Sequence, residues 1–495
     1  MVTAWRLTTT SKRPHPSAPE GTKYFSLSSA VEFTEWNMRV VPAKYSTPSG
    51  KKLILSFVLL LCAPALSHAA TYYVDNSGSV ACSDTGGQPG TAAAPFCTIE
   101  YGVSRISGGD TLYVKAGHYQ PNGGAGYIII NGPSGTSAAH TSIRAYPGQT
   151  PIITGSSGGS GFRVQGVSYM DVVGFEISGM EEDISVEGSN HILFDTLNVH
   201  DAQQACVHIR KCTSSSCSGT VPSYITIQNS NIHDCGLNTS LNGDGFYIGT
   251  SGDSSDTTNH VTVYNNTITN TGTECVNIKD FTNHTTVDHN TCDNNDTSNN
   301  QYSDAAIMLK SSTPTNNASD VISNNIISNT GPGSNCGATP SCTAVNSAIR
   351  LQHSATVFNN IIYGPNLASL GYAFYTENSD SRLIYQNTAD VSSNRFIDVA
   401  NGSVPTIINN IGPNPSTYSN HNMAANSAYF VNYAGHDYHL VASSAPIGAG
   451  ANLLSVVPTD RDGNSRSATP DDGAYEYGGS SSAPQPPTGL TAIVH

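Results

Sequence analysis

The sequence predicts an all-β chain that folds as a right-handed parallel β-helix with a short N-terminal capping helix. The chain is rich in Thr, Ser, Asn, Gly, Val and Ile, and almost no segment has a helical period. Two short patterns, an asparagine-centred turn and an alternating apolar pair, each recur along its length. Repetition of one strand–turn–strand unit is typical of a solenoid in which every unit forms one coil.

The first pattern places an asparagine between two short strands. Six segments share this template: VYNNTI (Val263), VDHNTC (Val287), ISNNII (Ile322), VFNNII (Val357), IYQNTA (Ile384) and IINNI (Ile407). We expect their asparagines to stack along one turn of the helix, at Asn266, Asn290, Asn325, Asn360, Asn387 and Asn410. The unequal spacing places insertions on one side, at 212–222, 250–259 and 331–345. Leucine-rich, propeller and sandwich folds are disfavoured because their signatures are missing or sparse.

The second pattern is a pair of apolar residues separated by one residue. Seven pairs align: Phe162/Val164, Ile184/Val186, Val207/Ile209, Phe246/Ile248, Val276/Ile278, Ile307/Leu309 and Ile349/Leu351. In a strand, the residue within each pair and the residue after it face outward. The two outward columns are Arg163, Ser185, His208, Tyr247, Asn277, Met308 and Arg350, and Gln165, Glu187, Arg210, Gly249, Lys279, Lys310 and Gln352. Five basic residues in fourteen positions predict a cationic groove for a polyanion.

The chain also carries an export signal. Lys51 and Lys52 precede LILSFVLLLCAPAL and a small-x-small site ending at Ala69, which indicates a signal peptide over 51–70 that is too short to span a membrane. We expect residues 1–50 to be an upstream over-call or a disordered leader, with Met38 as a start codon. The sequence therefore predicts a secreted or periplasmic protein without stable membrane insertion.

The remaining chain is strongly acidic. Removing the leader's eight basic and three acidic residues from totals of 21 and 36 leaves 13 basic and 33 acidic residues. This balance argues against nucleic acid as a partner. Ten cysteines remain, an even number that fits export; local pairing favours Cys82–Cys97, Cys212–Cys217 and Cys336–Cys342. The other four, which are Cys206, Cys235, Cys275 and Cys292, are disulfides or buried thiols.

The predicted β-helix domain covers 71–478 and needs a cover at each end. PFCTIEYGVSRI, from Pro95, is an amphipathic segment at the place of an N-terminal capping helix. Segments that begin at Asp437 and Asp471 resemble closing strands. Residues 479–495 are interpreted as a linker into a truncated C-terminal module. Capped solenoids are often monomers, and we expect a monomer here.

Several segments resemble the secreted, pectin-lyase-like β-helix proteins that include polysaccharide lyases. They are TYYVDNSGS from Thr71, GDTLYVKAGHY from Gly109, the asparagine coils and the closing GAYEY from Gly473. Within polysaccharide lyase families nine and six, a carboxylate-bearing strand followed by an acidic strand binds calcium, with a lysine beside it as base. DGF at Asp244 is similar to the first element, and the run from Glu274 to Lys279 is similar to the second. Family nine has paired aspartates where Thr273 and Glu274 stand.

The resemblance and the residues together predict a site on two adjacent coils. Oxygen-rich side chains there suit Ca²⁺, and its expected ligands are Asn242, Asp244, Glu274, Asn277 and Asp280. β-Elimination of a uronan needs a base and a neutralised carboxylate. The expected catalytic residues are Lys279 as base, Lys310 as the second cation that the resemblance implies, and Arg350. Arg163, His208, Arg210 and Tyr247 are expected to bind the anionic polysaccharide.

The predicted function is a secreted lyase that cleaves an anionic polysaccharide, most readily pectate, with calcium. A glycoside hydrolase is disfavoured because the polygalacturonase signatures are missing and hydrolysis needs two working carboxylates. The pattern also fits a non-catalytic glycan binder or adhesin, and a uronan epimerase would share the proton-abstraction step. His208 is a second candidate base, but the sequence shows no carboxylate partner for it.

Overall fold

The computed structural model describes residues 69–121, 126–156, 158–238, 242–295, 297, 305–310, 319–330, 347–364, 372–378, 381–390, 396–400, 402–413 and 420–478. The leader, most of the signal peptide, the C-terminal linker and the expected Cys336–Cys342 pair lie outside these residues. Among the residues that are described, no helix is long and apolar enough to cross a membrane.

Three long parallel sheets confirm the right-handed parallel β-helix. Each coil contributes one strand to each sheet, in the order sheet 1, sheet 2, sheet 3. Sheet 1 carries the first outward column, and the second column lies on or directly after the ends of the same strands. Its ten strands are β4 (Tyr127–Ile130), β7 (Ser160–Gln165), β10 (Ile184–Glu187), β13 (Val207–Arg210), β16 (Phe246–Ile248), β19 (Val276–Ile278), β22 (Ala305–Leu309), β25 (Ser347–Leu351), β28 (Tyr372–Thr376) and β31 (Ile397–Val399).

Sheets 2 and 3 form the other two walls. Sheet 2 contains β1 (Thr71–Val74), β2 (Thr111–Val114), β5 (Thr141–Ala145), β8 (Ser168–Val173), β11 (Asn190–Asp195), β14 (Ser223–Gln228), β17 (Asn259–Tyr264), β20 (Thr286–Asp288), β23 (Asp320–Ser323), β26 (Ala355–Phe358), β29 (Arg382–Tyr385) and β32 (Thr406–Ile408). Sheet 3 contains β3 (Gly117–Tyr119), β6 (Pro151–Thr154), β9 (Glu176–Ser178), β12 (Asn198–His200), β15 (Asn231–Cys235), β18 (Thr267–Thr271), β21 (Thr291–Asp293), β24 (Ile326–Ser328), β27 (Ile361–Tyr363), β30 (Thr388–Asp390), β33 (Ile411–Gly412) and β34 (Met423–Ala424).

The core is built from the inward residues of each coil. All seven predicted apolar pairs point inward and are at most 1% exposed, because alternate residues of a strand face opposite sides. Adjacent pairs are in register, as in Val207 opposite Phe246 and Phe246 opposite Val276. The packed column fixes the register of sheet 1, so the outward residues are aligned as well.

The predicted asparagine ladder is confirmed between sheets 2 and 3. The Nδ2 of Asn266 donates to Oδ1 of Asn290 at 3.0 Å, and the same bond links every later pair through Asn410. The ladder continues one step further than predicted, from Asn410 to Asn422 at 2.9 Å. Each of these side chains also donates to a main-chain carbonyl, so protein groups satisfy both N–H bonds of the amide.

The predicted capping helix is confirmed as α1 (Ile99–Val103), five residues long. The Thr98 side chain accepts a hydrogen bond from the Tyr101 main-chain N–H and caps its first turn. Ile99, Gly102 and Val103 are buried, and α1 packs against β1, β2 and β4. The helix therefore covers the apolar end of the first coil.

Disulfides close several coils. Cys82–Cys97 and Cys212–Cys217 form as predicted. The four cysteines whose state the sequence left open pair as Cys206–Cys235 and Cys275–Cys292. Each of these two bonds joins the start of a sheet 1 strand to sheet 3 in the same coil. These bonds and the fold fit an extracellular protein.

The C-terminal segment packs on the last coils. β35 (Phe430–Asn432) and β36 (Asp437–Leu440) form an antiparallel pair, which confirms the closing strand predicted at Asp437. The strand predicted at Asp471 is wrong, because residues 471–477 form bends and a turn. That segment is held by the buried Arg466, whose guanidinium donates to the Gly473 carbonyl at 2.9 Å and to the Glu476 carboxylate at 3.2 Å.

Candidate functional site

The first predicted outward column lies on sheet 1, and the second lies on or directly after the ends of the same strands. In the first column, Arg163, Ser185, His208, Tyr247, Asn277, Met308 and Arg350 pair with one another across seven consecutive strands. In the second column, the main-chain N–H groups of Lys279 and Lys310 each donate to the preceding coil at 2.8 Å. The sequence therefore located the aligned face correctly.

The N-terminal part of this face is not a bare cationic surface. Arg163 donates to the fully buried carboxylate of Glu187 through Nε at 3.1 Å and Nη2 at 2.9 Å. Arg210 reaches the same carboxylate at 3.3 Å and also donates to Glu182 at 3.1 Å. Carboxylates therefore compensate the charges of these two arginines, which corrects the predicted cationic groove for this part of the face.

His208 has the carboxylate partner that the sequence did not reveal. Its Nδ1 lies 2.6 Å from Oε1 of Glu182. Burial alone would raise the pKa of Glu182, but the hydrogen bond and charge of His208 and the charge of Arg210 lower it to about 2. Glu182 is therefore a carboxylate at neutral pH.

Arg350 is compensated in the same way at the other end. Its Nε donates to Oε1 of Glu377 at 2.7 Å, and its guanidinium carbon lies 5.1 Å from the centroid of the Tyr375 ring. Two strand positions separate Arg350 from Asn277, or about 10 Å at normal strand spacing. Arg350 therefore lies two strands further along the face than Asn277.

Tyr247 and Lys279 form the centre of the face. The Nζ of Lys279 lies 4.2 Å from the centroid of the Tyr247 ring, and Lys279 is only 5% exposed. Burial lowers the pKa of Lys279; the charges of Asp244 and Glu274 act against this, and the nearby charge of Lys310 adds to it. Burial also raises the pKa of Tyr247, with the Asp244 carboxylate adding to the effect. The lowered pKa favours the neutral, basic form of the Lys279 amine, and the raised pKa favours the protonated form of the Tyr247 hydroxyl.

Lys310 follows Lys279 in the second column, one coil further on. It is half-buried, and its Nζ donates to the Ser251 hydroxyl at 3.3 Å. Ser251 belongs to the insertion predicted at 250–259, in which the Gly252 N–H donates to Oδ2 of Asp280 at 3.1 Å. This loop therefore contacts two of the predicted site residues.

Four of the five predicted calcium ligands are buried beside Lys279. Asp244, Glu274, Asn277 and Asp280 are all at most 4% exposed, whereas Asn242 is exposed. Nδ2 of Asn277 donates to Oδ1 of Asp244 at 3.0 Å, while Oδ2 of Asp244 and Oδ1 of Asn277 are buried without a hydrogen-bond partner among the described residues. Within the described ranges, no group of three or more His, Cys, Asp or Glu side chains is placed to hold a metal ion.

Glu182 is a residue of the candidate site that the sequence did not point to. It stands two residues before the apolar pair of its strand, the same position that Asp244 and Glu274 occupy in their coils. Extending the aligned columns by two positions toward the N-terminus would have found it. The predicted columns began at the first apolar residue, so this acidic column was left out.

One family model and several solved structures are similar to this chain. Residues 78–256 match a family model described as "Pel9A-like, right handed beta helix region". The solved structure of pectate lyase Pel9A is 15% identical, with a TM-score of 0.50, and the match covers 83% of this chain and 97% of that one. No curated protein matches the chain.

Two other lyase structures are similar at lower TM-scores. An alginate lyase from Paenibacillus sp. str. FPU-7 is 20% identical, with a TM-score of 0.47 and coverage of 61% of this chain and 95% of that one. A rhamnogalacturonan lyase is 15% identical, with a TM-score of 0.47 and coverage of 74% and 91%. Identities this low do not assign chemistry. This chain is therefore a right-handed parallel β-helix protein with a polysaccharide-lyase-like fold, and its residues 78–256 match the Pel9A-like region.

Proposed function

We propose that this protein is a secreted polysaccharide lyase that cleaves an anionic, uronic-acid polysaccharide by β-elimination. The observation that carries the proposal is the buried Lys279 amine, with its pKa lowered by burial, 4.2 Å from the centre of the Tyr247 ring. A neutral amine at working pH is what proton abstraction requires. Among the five basic residues of the columns, Lys279 and Lys310 are the two that can lose a proton, because arginine stays charged.

Lys279 and Tyr247 can supply the two proton transfers that β-elimination needs. The Lys279 amine takes the proton from the carbon α to the substrate carboxylate, and the freed electron pair forms a carbon–carbon double bond. The glycosidic carbon–oxygen bond at the β carbon then breaks. The Tyr247 hydroxyl, which its raised pKa keeps protonated, gives its proton to the leaving oxygen. Solvent exchange afterwards restores both side chains.

Lys310 is the better candidate for the charge that neutralises the substrate carboxylate. It lies one coil from Lys279 in the same column. Its Nζ donates to the Ser251 hydroxyl, which is neutral and so does not compensate the positive charge. Arg350 lies a further coil away and is paired with Glu377. We therefore assign Arg350, Arg163 and Arg210 to neighbouring sugar residues along the groove rather than to the reacting one.

Calcium remains part of the proposal. The buried, unpartnered oxygens of Asp244 and Asn277 suit a hard cation, and Glu274, Asp280 and Asn242 are the further oxygen donors nearby. An ion bound there would help to neutralise the substrate carboxylate. Because the described acids do not converge as a group of three, we expect weak binding that water and substrate oxygens complete. A calcium-dependent rise in the melting temperature, present in the wild type and missing in Asp244→Asn, tests the site without any substrate.

Pectate is the first substrate to test, because residues 78–256 match the Pel9A-like region. Alginate and chondroitin sulfate are the next two. Each polymer is incubated with the secreted protein, with calcium or with chelator, and the ultraviolet absorbance of unsaturated products is followed. We expect absorbance to rise on one uronan, to vanish in Lys279→Ala and to persist in the matched control Lys115→Ala. Lys115 lies at the end of sheet 2, where it pairs with Asp75.

A glycoside hydrolase is the second candidate, because Asp244 and Glu274 occupy matching positions on adjacent coils, about 5 Å apart at normal strand spacing. The complete burial of Asp244 and its bond from Asn277 disfavour direct action on a sugar. New reducing ends without ultraviolet absorbance would identify a hydrolase. Binding to a uronan without any product would indicate a glycan-binding protein.

A further inference from the structure

Glu182 and His208 form a pair on the N-terminal side of Tyr247. Nδ1 of His208 lies 2.6 Å from Oε1 of Glu182, and the side chains are only 14% and 12% exposed. Because Glu182 is ionised, it can only accept in this hydrogen bond. Nη1 of Arg210, which lies 3.1 Å from Oε1 of Glu182, is also 3.0 Å from Nδ1 of His208. Nε2 of His208 is buried and has no hydrogen-bond partner in the described part of the chain.

The imidazole packs against the Tyr247 ring. The two ring centroids are 4.7 Å apart with an interplanar angle of 66°, an edge-to-face contact. Register places His208 on the strand before Tyr247 and Asn277 on the strand after it. Tyr247 therefore lies between the coil of His208 and the coil of Lys279, whose amine contacts its ring.

Glu182 is itself held in place. Arg210 donates to Oε1 and Oε2 of Glu182 at 3.1 and 3.3 Å, and Arg210 also reaches the fully buried Glu187 at 3.3 Å. The carboxylate thus has little freedom to turn away from His208. A side chain fixed by several hydrogen bonds can orient its neighbour with little loss of entropy on each turnover.

We propose that Glu182 and His208 are a positioning pair that fixes the Tyr247 ring against the Lys279 amine, so that losing the pair lowers turnover rather than substrate affinity. The inference rests on the proposed lyase function and deepens it. His208 acts through Tyr247, because its Nε2 is sealed from solvent and does not meet the polysaccharide directly.

The test compares steady-state kinetics of four single variants on the uronan that the wild type cleaves. His208→Ala and Glu182→Ala should each lower kcat by about 10- to 100-fold, the effect of a reacting group displaced by about 1 Å, with KM changed less than about twofold. Glu182→Gln should keep most of the activity, because its amide oxygen can still accept from Nδ1. Tyr247→Phe removes the proton donor but keeps the ring.

Combining variants separates positioning from direct binding. In the Tyr247→Phe background, His208→Ala should have almost no further effect on kcat, because the phenolic hydroxyl, whose position depends on how the ring is held, is already gone. Multiplying effects, or a rise in KM without loss of kcat, would overturn the proposal. If His208→Ala fails to fold, Glu182→Ala carries the same comparison, since it keeps the imidazole and removes only the carboxylate that orients it.

An inactive wild type would refute the proposed function and would be seen before any variant is made. The positioning pair is then judged by the NMR signals of labelled tyrosines, with Tyr247 assigned by its Phe variant. A shifted or broadened Tyr247 signal in both Glu182→Ala and His208→Ala is the expected result. An unchanged signal in both variants would overturn the inference regardless of substrate.

Discussion

Replacing Asn325 by alanine should destabilise the central coils more than any exposed asparagine would. The Asn325 side chain donates to the Val287 carbonyl and to Oδ1 of Asn360, each at 2.9 Å. It accepts from the main-chain N–H of Asn290 at 2.9 Å and from Nδ2 of Asn290 at 3.1 Å. Four buried hydrogen bonds at about 1 kcal/mol each give a loss of about 4 kcal/mol in the free energy of unfolding.

Two measurements check this value. Urea unfolding followed by circular dichroism should show the loss, and amide hydrogen exchange at Asn290 should accelerate by up to about a thousandfold, since each 1.4 kcal/mol is about tenfold. Asn231→Ala is the matched control, because that exposed asparagine makes one ladder-like bond to Asn198 at 2.9 Å. If Asn325→Ala lowered the free energy of unfolding by less than about 1 kcal/mol, or by no more than Asn231→Ala does, the buried hydrogen bonds of the ladder would not have the strength argued here.

Two further predictions concern the closure of the coils and the C-terminal segment. Replacing both Cys275 and Cys292 by alanine opens a loop with a sequence separation of 17, which should cost about 3 kcal/mol of unfolding free energy; an unchanged urea midpoint would contradict it. Nε2 of His439 lies 2.9 Å from Oδ2 of Asp462, and its Nδ1 is hydrogen-bonded to Asp437. The hydrogen bonds to these two carboxylates raise the pKa of His439 to about 9. Its contribution to stability is fully present below about pH 6.5 and is lost as the pH rises through about 9, so the melting temperatures of the wild type and His439→Gln should converge on going from about pH 6 to about pH 9.5. A difference that is constant with pH would exclude this charge linkage.

The sequence predicted the coil architecture because two of its patterns are strictly local. Alternation such as Phe246 and Ile248 decides which side chains face inward, and the buried pairs then fix the register between coils. The ladder asparagines were found for the same reason, since each stands at the same place in its own turn. The prediction at Asp471 failed because hydrogen bonds from the buried Arg466 hold that segment as bends and a turn rather than as a strand.

The site was predicted less completely, because its charges are compensated across coils. Arg163 and Glu187 lie in different columns and on different strands, so only their three-dimensional positions show that the carboxylate accepts from the guanidinium. Glu182 was missed because it lies before the strand, in a turn whose direction alternation does not determine. The pairing of Cys206 with Cys235 was equally open, because ten cysteines can be connected in many ways.

The two halves of the face follow one geometric rule, and comparing them shows why we propose Lys279 rather than Arg210 as the base. An acid two residues before a strand accepts from the outward residue of the next coil: Glu182 accepts from His208, and Asp244 accepts from Asn277. Two positions after that partner stands a cation, Arg210 in the first case and Lys279 in the second. Arginine keeps its proton in such a setting, whereas a buried lysine can lose it. The same frame therefore produces a fixed ion pair at one place and a titratable amine two coils further on.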